Sequence, residues 1–89
     1  MRPTALRRAI ENKADSRQLG SKTHINYAIY HQGQRVSRVT IPHGRKALTP
    51  GTLQSIRRQL RLGDMEQLEN FVRCPMSKQD YEAILNRVV

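Results

Sequence analysis

Apolar residues recur along this chain with two different periods. In residues 4–13, Leu6, Ala9 and Ile10 line one side together with Lys13, while Arg7 and Arg8 point elsewhere. That spacing predicts a short amphipathic helix, with Thr4 placed to cap it. Residues 14–21 are polar and contain Gly20, so at most a very short strand is expected there. Over residues 23–31 the period becomes two. Ile25, Tyr27 and Ile29 share one face, and His24, Asn26, Ala28 and Tyr30 share the other. Gln32-Gly33-Gln34 reads as a tight turn with a glycine available for positive φ, and residues 35–41 as the returning strand of a hairpin. A basic loop, Pro42 to Lys46, follows.

The second half returns to helical spacing. Thr49 is placed as an N-cap and Pro50 suits the first helical position, where its missing N–H costs nothing. Leu53, Ile56 and Leu60 then form an apolar stripe, and Arg57, Arg58 and Arg61 take much of the remaining circumference. Asp64 is a further N-cap, ahead of an apolar face of Leu68, Phe71 and Val72; Cys74-Pro75 interrupts the chain. Ser77 and Asp80 resemble a capping box that opens a last helix carrying Tyr81, Ile84, Leu85 and Val88. The whole predicts an α+β domain in which an antiparallel sheet of two to three strands is covered on one face by helices.

Length and composition narrow this further. Eighty-nine residues support one domain, 1–89, and a hydrophobic fraction of 37% with no Trp and one Phe implies a thin core. No apolar stretch approaches the roughly 18 residues of a membrane span, and residues 1–15 lack the apolar centre of a secretory signal, so a cytoplasmic protein is expected. The single cysteine excludes an intrachain disulfide and a cysteine metal cluster. The spacing of His24, His31 and His43 fits no short zinc pattern, and no metal or other cofactor is expected.

Charge changes the picture most. Thirteen of the sixteen Lys and Arg residues, but only two of the seven acids, fall within 1–62. Residues 63–89 carry three basic residues against five acids. A basic body (1–62) with a mildly acidic helical extension (63–89) points to a polyanionic partner, nucleic acid above all. Nucleotide-binding glycine loops and paired carboxylates are both missing, which leaves nucleotide hydrolysis and glycosidase chemistry without support.

The segment LTPGTLQSIRRQL, residues 48–60, resembles the signature of the HicA family of bacterial toxins. Gly20-Ser21 followed by His24 is similar to that family's Gly-Ser-His, and Val39-Thr40-Ile41-Pro42-His43 to its strand end. Together these cover roughly residues 18–72. The resemblance implies a fold like the double-stranded-RNA-binding domain, here with extra C-terminal helices. It also implies an mRNA-cleaving toxin of a type II toxin–antitoxin system that needs no metal, and a HicB-type antitoxin as partner. The family's essential strand histidine is best matched by His24. Anchoring on Gly20-Ser21 instead would place Lys22 there, because Lys22 and Thr23 intervene.

The residues themselves allow such chemistry. RNA supplies its own nucleophile in the ribose 2′-OH, so one histidine as general acid/base and a few cations suffice. Ser21, Lys22, Arg45 and Lys46 are expected near the phosphate, with Arg38 on the neighbouring strand and Arg57, Arg58 and Arg61 holding the backbone. Tyr30, on the face of His24, is expected to stack on a base. His31 and His43 are weaker candidates. The rival expectation is a non-catalytic basic RNA- or DNA-binding module using the same face, and a third is an interaction module for an acidic protein.

Overall fold

A computed structural model describes residues 1–20, 24–42, 47–73 and 76–88. Helix α1 (Pro3–Lys13) leads into strands β1 (Asp15–Leu19), β2 (His24–His31) and β3 (Gln34–Pro42). Helices α2 (Pro50–Gln59), α3 (Met65–Val72) and α4 (Lys78–Val88) follow. The sheet is antiparallel throughout, in the order β1-β2-β3. This is an α+β fold, and its first five elements run in the helix–three strands–helix order of the double-stranded-RNA-binding domain.

Helix α1 starts one residue before the expected cap. Arg2 is its N-cap, no side chain bonds the first turn, and Pro3 occupies the first position. Proline's fixed φ suits that position, which puts Thr4 inside the helix. Strand β1 is a full five residues, although DSRQL holds a single apolar side chain. Its strand character comes from pairing, Asp15 opposite Tyr30 through Leu19 opposite Asn26. The hairpin turn has Gln32 at φ 53° and Gly33 at φ 80°. Two successive positive φ values give the type I′ twist that suits a two-residue hairpin.

One face of the sheet is the core. Ile25, Tyr27, Ile29, Val39 and Ile41 pack against Leu6 and Ile10 of α1 and Ile56 and Leu60 at α2. Leu68 and Phe71 of α3 and Tyr81 and Leu85 of α4 belong to the same cluster, so α3 and α4 enlarge the core they adjoin. The predicted caps are in place: Thr49 Oγ1 accepts from the Thr52 N–H, and Asp64 Oδ1 from the Gln67 N–H at 2.8 Å. Ser77 and Asp80 bond reciprocally at 3.0 and 3.1 Å, and the Ser77 N–H holds the Asp80 carboxyl below the usual carboxylate range. The predicted break at Cys74-Pro75 lies outside the described residues.

Buried phenols tie the layers together. Tyr27 donates to Glu11 Oε1 at 2.7 Å and accepts from Arg7 Nε at 3.2 Å; Tyr81 donates to the Leu60 carbonyl at 2.8 Å. Burial pushes both phenols above the ordinary tyrosine value. Because folding favours the neutral phenol, this stabilisation is complete below pH ~10 and is lost as pH rises beyond it. Melting temperature is therefore expected to fall above pH ~10, with tyrosinate absorbance rising as near-UV circular dichroism collapses. Melts that stay level through that range would contradict the coupling.

The two edges of the sheet are treated differently. On β3, the Thr40 N–H donates to Gln59 Oε1 at 2.9 Å, Ser37 Oγ donates to the Gln59 carbonyl, and the Val36 carbonyl accepts from Arg61 at 3.2 Å. The end of α2 thus holds two backbone groups of that edge, the Thr40 N–H and the Val36 carbonyl. On β1, no hydrogen bond among the described residues reaches the outer backbone. Gln59→Ala strands the Thr40 N–H and is expected to cost about 1–2 kcal/mol. Urea denaturation measures the loss, and faster hydrogen exchange at Thr40 localises it.

Candidate nucleic-acid interface

Side chains alternate across each strand, so register decides what the helix-free face presents. With Ile25, Tyr27 and Ile29 facing the core, His24, Asn26, Ala28 and Tyr30 face the other way. Their partners complete cross-strand rows. His24 is opposite Pro42; Asn26 lies between Leu19 and Thr40; Ala28 lies between Arg17 and Arg38; Tyr30 lies between Asp15 and Arg35. No helix of the core cluster packs on this side.

His24 is exposed at one end of β2, as the alternation predicted. Tyr30 shares its face but stands six residues away, about 20 Å at ~3.4 Å per residue. The two therefore mark opposite ends of the face rather than one pocket. Arg38 springs from the row between them, yet its guanidinium reaches back to Asn26 Oδ1 at 3.4 Å. That brings its charge to the row beside His24. Asn26 is 3% exposed, and its Oδ1 also accepts from Thr40 Oγ1 at 2.7 Å. A buried amide held by two donors gives Arg38 a fixed anchor.

The helix arginines do not form the single basic face their spacing suggested. Arg57 donates to Gln54 Oε1 at 2.8 Å and to the Leu62 carbonyl at 2.9 Å, closing the end of α2. Arg61 lies beyond the helix at φ 65°, and its guanidinium holds the Val36 carbonyl. The Leu62 and Arg61 N–H groups return to the carbonyls of Arg57 and Arg58, so Arg61 fills the left-handed position that glycine usually takes. Arg58 remains exposed on α2, two residues and about 200° of helical turn from buried Ile56. Ser21, Lys22, Arg45, Lys46 and His43 lie outside the described residues.

His31, a weaker candidate, lies within 2.6 Å of Asn86 Oδ1 on α4, a contact that ties the hairpin end to the last helix. Arg17, Arg35, Asn26 and Thr40 belong to the open face and were not singled out from sequence. Arg35 was within reach of it: with Gln32-Gly33 as the turn, His31 opposes Gln34 and Tyr30 opposes Arg35. Arg17 gave no such signal, since the pairing of β1 is not written in its own residues.

Chemically, the face offers an imidazole at one end, an aromatic ring at the other, and three arginines between and beside them. Such a surface suits an extended polyanion with stackable bases. Among the described residues no group of His, Cys, Asp and Glu is arranged to hold a metal ion, and no helix is long and apolar enough to cross a membrane. No family model, curated protein or solved structure matches the chain.

Proposed function

We propose that this protein is an endoribonuclease of the toxin type, cleaving mRNA without a metal and using His24 as general acid/base. The observation that supports it best is the position of His24. It is exposed on the helix-free face of a basic body, one row from an anchored Arg38 guanidinium. It also follows directly on the segment with Ser21 and Lys22, and its cross-strand partner Pro42 directly precedes the one with Arg45 and Lys46. The 2′-oxygen attacks phosphorus as its proton passes to a base; the 5′-oxygen departs as it gains a proton. The products are a 2′,3′-cyclic phosphate and a 5′-hydroxyl. His24 serves the proton transfers, while Lys22, Arg45 and Lys46 offset the growing charge on phosphate.

The resemblance of residues 48–60 to the HicA signature supports the same reading. With it go a cytoplasmic setting, where mRNA is found, and a HicB-type antitoxin. An acidic antitoxin surface would dock on the basic body by charge complementarity. The test is cleavage of a mixed-sequence RNA in EDTA by the native chain and by His24→Ala. Cleavage lost in the variant, with RNA affinity kept, supports the reading. RNA bound equally by both and cut by neither leaves a basic binding module in its place.

A further inference from the structure

Ala28 faces the helix-free side of the sheet, yet it is 0% exposed. No apolar residue of the core cluster covers it, because that cluster lies on the other face. Its cross-strand partners are Arg17 on β1 and Arg38 on β3, both themselves exposed. Along its own strand its neighbours on that face are Asn26 and Tyr30. Among the described residues, those four are its nearest positions on that face by register. The two arginines are rooted about 10 Å apart, two strand spacings of ~4.8 Å, with a small residue between them. Two long cations so placed can meet over the middle strand, and their mutual repulsion there is relieved by a shared anion.

From this we infer that Arg17 and Arg38 form one phosphate seat across β2, and that the ligand is single-stranded RNA laid along that strand. The inference rests on the proposed RNA-directed function and adds to it a substrate class and a second binding residue, Arg17. Arg38 enters the seat already oriented, because it donates to Asn26 Oδ1, which Thr40 Oγ1 holds in turn. Tyr30 lies one row further along, about 7 Å from Ala28, where an unpaired base can stack on its ring. A duplex keeps its bases stacked on one another and leaves that ring unused. His24 lies four residues from Ala28 in the other direction, about 14 Å. The seated phosphate is thus not the one cleaved: it fixes the register of the strand that His24 meets.

The experiment uses the full chain carrying His24→Ala, so that RNA stays intact, and a fluorescent RNA of about 12 nucleotides, alone or annealed to its complement. Arg17→Gln and Arg38→Gln are each expected to weaken single-strand binding about tenfold at low salt. Lys78→Gln, an equal loss of charge on α4, is expected to leave it within about twofold. Because one phosphate is shared, the double variant flattens the log affinity–log salt slope by about 0.7; two separate phosphates would give about 1.4. The larger change overturns the shared seat, and equal or tighter binding of the duplex overturns the single-strand assignment. If RNA binds but ignores both arginines while their melting curves are unchanged, the seat is wrong and the ribonuclease reading stands. If the His24→Ala chain binds no RNA even at low salt, both fall.

Discussion

Phe71→Ala is expected to destabilise the protein by about 3–5 kcal/mol and to leave much of it unfolded at moderate temperature. Phe71 is the only phenylalanine in a chain without tryptophan, and it is fully buried. Its ring centroid lies 4.8 Å from that of Tyr81 at an interplanar angle of 53°, joining α3 to α4. Removing the ring leaves a cavity in the cluster shared by α1, α3 and α4. A domain of this length has a total stability of about 4–13 kcal/mol, so one substitution removes a large share. The urea midpoint should fall sharply while the slope of the transition is kept. A midpoint within experimental error of the native value would show that the C-terminal helices do not stabilise the body. Lys13, which donates to the Phe71 carbonyl at 2.8 Å and to that of Arg73, caps α3 through backbone atoms and survives the substitution.

The second large effect falls on activity rather than folding. Under the proposed mechanism, His24→Ala is expected to slow RNA cleavage by about 10²–10⁴-fold, the usual contribution of a positioned general acid/base. Stability should change little, because the side chain is exposed at the end of β2. Affinity for uncut RNA should also persist, since the arginines of the open face are untouched. Equal cleavage rates for the two proteins would remove His24 from the chemistry. Lys22, which the alternative anchoring of the Gly-Ser segment favours, would then be substituted next.

Much of this was legible in the sequence because the relevant signals are local. Thr49-Pro50, Asp64 and the Ser77/Asp80 pair each bond their own backbone within three residues, so their meaning does not depend on the fold. Alternation over residues 24–30 placed His24 and Tyr30 correctly on one face. What escaped was whatever register or tertiary contact decides. Strand β1 exists through its ladder with β2, not through its residues. Arg57 and Arg61 looked like a solvent-facing pair, yet both guanidinium groups close backbone carbonyls at the end of α2. No glycine marks that end: Arg61 itself adopts the left-handed conformation, and Gly63 comes two residues later. The seat over Ala28 could not be read at all without knowing which residues flank it.

The unequal edges of the sheet set its valence. Gln59 and Arg61, at the end of α2, hold the Thr40 N–H and the Val36 carbonyl of the β3 side, so among the described residues the β1 side is the more open to an added strand. Growth by repeated edge-to-edge stacking needs two open sides, as in a fibril. Here α2 occupies part of the β3 side. A second copy that joins beside β1 places β3, with its α2 contacts, at each outer edge, which disfavours further growth.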